Sequence, residues 1–198
     1  MKRKSAGRND FSFEIRRQAV HALGIFTVPI ILYFGKVFSL IFLGAVVVFF
    51  FVLAAYKLEK SKRRKNILFE ELAAIENFFE EKIYAKFERK ESFPMKGAIL
   101  FYLGAFLTLL IFPEKTAAAS IAVLAIGDSV STLVGKRFGK HKIFEKKTWE
   151  GSLGFFISAF VVLLFFVSPQ RAIFAALVGA LAEAFLKIDD NLSVPLAT

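Results

Sequence analysis

The residues best suited to chemistry lie between positions 126 and 152, where an apolar stretch ends in a basic loop. Asp128 falls inside a predicted membrane helix, about two turns from its end. An ionisable group within such a helix is costly to bury and therefore marks a candidate functional site. On a helix, Ser131 and Thr132 would share a face with Asp128, and such hard oxygen ligands suit Mg²⁺. The alternative is a polar patch that only bonds to a neighbouring helix.

The loop that follows Asp128 is strongly cationic and contains glycine. Lysine and arginine neutralise phosphates, and a nearby carboxylate can hold the metal that bridges them. The loop therefore predicts a polyphosphate site, while part of its charge also serves membrane topology. It is not a P-loop, because the glycine spacing is too long and no serine or threonine follows the lysine. The candidate phosphate-binding residues are Gly135, Lys136, Arg137, Gly139, Lys140 and Lys147.

A second group of acidic residues lies further along the chain. Glu183 falls within an apolar stretch, and Asp190 follows seven residues later, on the same face if the helix persists. Packing of the fourth and sixth apolar stretches would bring two carboxylates together around Mg²⁺. The competing interpretation treats Asp189 and Asp190 as exposed tail charges, but it does not account for the deeper Glu183.

Three further residues have both an ordinary and a functional interpretation. Glu150 opens the fifth apolar stretch, where an acid also suits the helix dipole. Trp149 is equally typical of an interfacial anchor. His21 lies four residues after Arg17 and seven after Glu14, so the three share a helix face. A lone histidine on an apolar helix is often a packing residue, and its alignment with Arg17 favours a site residue.

Membrane helices must position these groups. The chain has 198 residues, of which 56% are hydrophobic, and its apolar runs are about as long as a bilayer is thick. We predict an all-α integral membrane protein, a single domain over residues 1–198, with about six transmembrane helices. A charged amphipathic helix over residues 59–92 is expected on the cytoplasmic membrane face, with a solvated helical linker as the open alternative. The predicted spans are residues 14–34, 37–56, 94–112, 116–134, 152–167 and 172–188, the first two forming a tight hairpin around Gly35 and Lys36.

The distribution of basic residues predicts the orientation. Of the 27 lysines and arginines, all but Lys36, Lys115 and Arg171 fall on one side of the predicted spans. The positive-inside rule places that side in the cytoplasm, with both termini and both acidic groups. Topology thus explains the net charge of +10, and we expect no nucleic-acid partner. The absence of cysteine excludes disulfides and thiolate metal sites. The oligomeric state stays open.

Together these motifs resemble the dolichol kinase and phytol kinase family of CTP-dependent lipid-alcohol kinases. That family is distantly similar to the phosphatidate cytidylyltransferases. The resemblance covers most of the chain outside the amphipathic segment. It rests on Gly127-Asp128-Ser129, on residues 134–140 and 147–152, on Lys96-Gly97-Ala98 and Phe112-Pro113, on Glu183, on residues 190–196, and on Glu14, Arg16, Arg17 and His21.

The resemblance implies phosphoryl transfer from CTP to the hydroxyl of a membrane isoprenoid or related lipid alcohol, such as dolichol, polyprenol or phytol. We expect Asp128 and Asp190 to hold Mg²⁺, and Glu150 or Glu183 to accept the hydroxyl proton. Residues expected beside the nucleotide or the site are Thr148, Asn191, Arg17 and His21.

Two alternatives remain open. A lipid-phosphate cytidylyltransferase would need the same metal, basic loop and acidic helices. A small non-enzymatic membrane transporter would also tolerate carboxylates in its helices, but it does not explain a basic loop between Gly127-Asp128 and Glu150-Gly151-Ser152.

Overall fold

Each apolar run of the sequence is helical in the computed structural model, which describes residues 2–63, 95–143 and 147–198. Within these residues there is no strand, and one isolated bridge joins Lys142 to Thr148. A 3-10 turn, Leu23–Phe26, joins the first two helices, and a π-helical turn, Leu124–Asp128, joins the fourth and fifth. The helices are α1 Lys2–Ala22, α2 Thr27–Arg63, α3 Lys96–Ile111, α4 Glu114–Val123, α5 Ser129–Phe138, α6 Trp149–Leu163, α7 Pro169–Phe185 and α8 Asp190–Ala197.

The all-helical fold predicted from the sequence is confirmed for the described residues. By length and composition, the helical stretches Phe11–Tyr56 and Glu114–Phe138 are long and apolar enough to cross a membrane, while Lys96–Ile111 and Trp149–Leu163 are shorter apolar helices. Such helices fit a membrane protein, because a helix satisfies its own backbone polar groups in lipid. The amphipathic helix expected at residues 59–92 lies almost entirely outside the described residues.

Helix α2 reverses direction at Gly35, as the sequence predicts. Gly35 has φ 78°, a left-handed conformation that glycine adopts without steric penalty. The Ser39 hydroxyl lies 3.4 Å from the Ile30 carbonyl oxygen, whereas nine residues of straight helix rise about 13 Å. The backbone N–H of Lys36 donates to Glu114 at 2.6 Å. These contacts define the hairpin end of the molecule, at Gly35, Lys36 and Glu114.

The opposite end is where α1, α5, α6 and α8 meet, and we call it the site end. Helix α8 reaches it by crossing α3 at Gly104. A Cβ built at Gly104 would lie 2.0 Å from the Asn191 carbonyl oxygen, so only glycine permits this approach. The buried core between the two ends is rich in alanine along α4 and α7, including Ala118, Ala122, Ala172 and Ala176. Small side chains of this kind let helix backbones pack closely.

Candidate active site

A lysine between two carboxylates forms the centre of the site end. The Lys147 ammonium donates to Asp190 Oδ2 at 2.7 Å and also to Glu183 Oε1. Glu183 is only 2% exposed, and the hydroxyls of Ser131 and Ser152 donate to its two oxygens at 2.9 and 3.2 Å. We call Lys147, Glu183 and Asp190 the carboxylate cluster.

The expected continuous helix between Glu183 and Asp190 is not present. Helix α7 ends at Phe185 and α8 begins at Asp190, so the two carboxylates are not on one helical face. A change of chain direction brings them together instead. Asp189 stabilises this new start, because its carboxylate accepts from the Asn191 backbone N–H at 3.2 Å.

Lys147 is positioned by a short hairpin that leads into α6. The backbone N–H of Ile143 donates to the Lys147 carbonyl, and that of Trp149 to the His141 carbonyl, both at 3.0 Å. Thr148 then caps α6 by accepting from the Gly151 N–H at 3.2 Å. Lys147 is therefore held immediately before a helix start, and its side chain is directed at the carboxylate cluster.

Charge is unevenly balanced in the carboxylate cluster. Burial raises the pKa of Asp190 to about 6, with Asp128 and Glu183 adding to the rise and Lys147 opposing it. Burial alone would lower the pKa of Lys147, but the charges of Asp190 and Glu183 outweigh it and raise that pKa. Two carboxylates thus act on one ammonium while a third, Asp128, acts on Asp190, and this excess of acid is suited to binding a further cation.

His21 connects α1 to the same region. Its Nε2 lies 2.9 Å from Asn191 Oδ1 and 3.8 Å from Asp128 Oδ2. The Asn191 side-chain NH₂ donates to Asp189 at 2.8 Å, which turns its oxygen towards the histidine. The predicted site residues Asp128, His21, Asp190 and Asn191 therefore come from three separate helices to one place.

Other candidate phosphate-binding residues contact α1. Lys136 donates to Glu14 at 2.5 Å, and Arg17 forms an ion pair with the other oxygen of Glu14 at 2.6 Å. Glu14 is fully buried. The Arg137 guanidinium lies 5.6 Å from the centre of the Phe11 ring, within cation–π range. In this arrangement Lys136 and Arg137 join α5 to α1, whereas the pair between Arg17 and Glu14 lies within α1.

Glu150 lies in the first turn of α6 and pairs at 2.8 Å with His141 Nδ1, on the hairpin that precedes this helix. Its own backbone N–H and the His141 side chain hold the pKa of Glu150 at about 2. Lys140 is exposed on the same hairpin. Gly139 and Gly135 allow close packing there, since a Cβ at Gly139 would lie 2.2 Å from the Gly135 carbonyl oxygen.

The structure gives three serines contacts that the sequence did not predict. Ser152 and Ser131 both bond Glu183, although the sequence suggested Ser131 as a partner of Asp128. Ser129 donates to the Ala125 and Gln18 carbonyls and so connects the start of α5 to α1. Serine spacing on α5 and α6 was the available signal, but the partner helix could not be inferred from it.

The donor set is compatible with Mg²⁺. Among the described residues, no three or more histidines, cysteines and acids are grouped so as to hold a metal. Mg²⁺ nevertheless needs only one or two carboxylates when phosphates and water complete its six ligands. Asp128 and Asp190, close enough to interact electrostatically, supply two such carboxylates.

Comparison with known proteins identifies named relatives. No protein-family model matches the chain, and no solved structure matches it. Phytol kinase 1, chloroplastic, of Arabidopsis thaliana is 29% identical, over 52% of this chain and 41% of that protein. CTP-dependent diacylglycerol kinase 1 of Schizosaccharomyces pombe is 29% identical, over 52% of this chain and 56% of that protein. A dolichol kinase of the same yeast is 38% identical, over 38% of this chain and 17% of that protein.

Each of these matches covers less than two thirds of the named kinase. The relatives nevertheless share a class, since all three names denote kinases. They confirm the resemblance predicted from the motifs: the chain is related to the dolichol kinase and phytol kinase family.

Proposed function

We propose that this protein transfers the γ-phosphoryl group of CTP to the hydroxyl of a membrane isoprenoid or related lipid alcohol. The observation that carries the proposal is the carboxylate cluster, with Asp128 beside it, at one end of a bundle of apolar helices. Phosphoryl transfer depends mainly on positioned charge, which this cluster provides. The relationship to lipid and polyprenol kinases, one of them CTP-dependent by name, supports both donor and acceptor class.

The proposed topology has six membrane spans with both termini and the site end in the cytoplasm. Its support is that all six apolar runs are helical and that Lys136, Arg137 and Lys147 contact the helices of the site end. Lys36, one of the three exceptions, lies at the hairpin end with Glu114. Cytoplasmic nucleotide would then reach the site directly, while the lipid alcohol would enter from the bilayer between apolar helices.

Asp128 and Asp190 are the proposed Mg²⁺ ligands. The metal, when bound, neutralises and orients the phosphates of the nucleotide. Lys147 is the proposed contact to the transferred phosphate, because its ammonium pairs with Asp190 and with Glu183. The residues proposed to complete the nucleotide site are Lys136, Arg137, Lys140, Gly135, Gly139, Thr148 and Asn191, with Arg17 and His21 supporting them from α1.

Of the two candidate proton acceptors, Glu183 is better suited than Glu150. A carboxylate whose pKa is about 2, like that of Glu150, is a weak base at neutral pH. Glu183 lies in the carboxylate cluster, where its Oε1 accepts from Lys147 and Ser131 and its Oε2 accepts from Ser152. We therefore assign the hydroxyl proton to Oε2 of Glu183.

The test uses purified protein in detergent with Mg²⁺ and a mixed lipid-alcohol extract. One sample receives CTP labelled at the γ-phosphate and a parallel sample receives CTP labelled at the α-phosphate. We expect γ-label in the lipid phase and no α-label. Label from the α-phosphate, given a phosphorylated lipid acceptor, would instead indicate a cytidylyltransferase. If no label enters lipid from any nucleoside triphosphate, the kinase proposal is wrong.

A further inference from the structure

The two carboxylates that share Lys147 are fixed to different degrees. Glu183 is 2% exposed and is held by two serine hydroxyls from α5 and α6. The Asp190 side chain is 25% exposed, and it lies in the first turn of α8. Glu183 is therefore a rigid anchor for the Lys147 ammonium, whereas Asp190 is accessible from solvent.

Lys147 occupies an oxygen that a metal ion would need. Its ammonium bonds Asp190 Oδ2 at 2.7 Å, and the negative charge of Asp128 acts on the same carboxyl group. A divalent cation shared by Asp128 and Asp190 would compete for this oxygen, because both cations are attracted by the same carboxylates. Because Glu183 also bonds Lys147, the ammonium would stay close to Asp190 during such an exchange.

We propose that Lys147 is a tethered substitute cation: it occupies Asp190 until a divalent cation replaces it there, while Glu183 retains its ammonium. The inference rests on the proposed function in one respect, the assignment of Asp128 and Asp190 as metal ligands. Metal binding thereby frees the Lys147 ammonium from Asp190 for an incoming phosphate. The site thus links the arrival of the metal to the release of its phosphate-binding lysine.

Metal binding to the full chain in detergent, without nucleotide or lipid, tests this exchange. Mn²⁺ serves as the probe, and free Mn²⁺ is measured by electron paramagnetic resonance. Lys147→Met should bind Mn²⁺ about tenfold more tightly than the unsubstituted protein, because the competing cation is gone. Asp190→Asn should lose this binding. Lys142→Met, which removes an exposed charge from the same hairpin, is the matched control and should bind as the unsubstituted protein does.

The chain also carries a built-in reporter of the exchange. Trp149 is the only tryptophan, and it follows Lys147 by two residues. Mn²⁺ should change its fluorescence in the unsubstituted protein and in Lys142→Met, and change it much less in Lys147→Met.

Three results would overturn the inference. They are unchanged or weaker Mn²⁺ binding in Lys147→Met, equal tightening in Lys142→Met, and no Mn²⁺ binding in any of the proteins. None of these measurements uses CTP or a lipid. A protein that shows the exchange but moves no label from CTP would reject the kinase proposal while retaining the exchange.

Discussion

The two ends of the molecule use acidic and basic side chains for different purposes. At the hairpin end, Glu114 accepts from the Lys36 backbone N–H at 2.6 Å. The Lys36 ammonium donates to the carbonyls of Leu110 and Phe112 at 3.2 and 3.0 Å, where α3 ends. A cation at a helix C-terminus satisfies carbonyls that have no helical partner. At this end, Glu114 and Lys36 each stabilise a point where the chain reverses direction.

At the site end, charged side chains pair with one another between helices rather than with backbone groups. Asp128 and His21, with the carboxylate cluster, bring α1, the π-helical turn, α7 and α8 together. The raised pKa of Asp190 shows that burial and neighbouring acids are not fully compensated by Lys147. The comparison teaches that a group of charged residues marks a candidate site when it contains more carboxylates than cations. The following four substitutions test this contrast between the ends.

Asp128→Asn should have the largest effect on activity. Removing a proposed metal ligand should lower phosphoryl transfer about 10³-fold, comparable to losing a main electrostatic contact in other active sites. Transfer of γ-label to lipid is the measurement, and an unchanged thermal unfolding midpoint is the control for folding. Full Mg²⁺-dependent turnover in this variant would remove Asp128 from the metal site.

Lys147→Ala should weaken CTP binding by about 10- to 100-fold, because an ammonium paired with phosphate in a partly buried site contributes about 1.4–2.8 kcal/mol. Calorimetry with CTP and Mg²⁺ measures the change. Lys142→Ala, on the short hairpin that precedes α6, serves as the control. Equal CTP affinity and turnover in the Lys147 variant would exclude this lysine from the phosphate site.

Lys136→Met separates a structural from a nucleotide-binding role at the edge of the site. Lys136 bonds the fully buried Glu14, so its loss should destabilise the protein by about 1–3 kcal/mol. Denaturation in detergent measures this loss, and CTP titration of the folded variant measures affinity. A variant with normal stability but weaker CTP binding would show that the contact to Glu14 matters less than the phosphate contact.

Glu114→Gln should have the smallest effect on activity. The glutamine oxygen can still accept from Lys36, so we expect a stability loss of about 1 kcal/mol or less. Phosphoryl transfer should stay within twofold of the unsubstituted protein, since Glu114 lies at the end away from the carboxylate cluster. A marked loss of transfer with an unchanged unfolding midpoint would contradict the proposal that only the site end takes part in catalysis.

Much of this architecture could be predicted from local sequence. Apolar runs marked the helices, and the glycine between two of them marked the hairpin. The site was predictable only as a set of residue types, because helix partners are set by long-range packing. Glu14 and Lys136 are 122 positions apart, and no spacing rule connects them. Likewise, the break between α7 and α8 depends on the close packing of the Asn191 backbone against Gly104 of α3. A helical wheel does not represent such a long-range contact.

The π-helical turn explains one further difference. The turn Leu124–Asp128 changes the register of the chain between α4 and α5, so the residues that follow it face other neighbours than a regular continuation of α4 would give them. Ser131 accordingly faces Glu183, while Asp128 faces His21. Sequence periodicity assumes one helical pitch, so a single π turn is enough to redirect two site residues.

The hairpin end has a consequence for how the protein is made. In the proposed topology, Lys36 and Glu114 must each be carried through the bilayer, one in the turn within α2 and the other at the start of α4. The two residues are 78 positions apart and are synthesised at different times. Their bond can therefore form only after both segments have been translocated, and it fastens the first hairpin to the helices inserted after it.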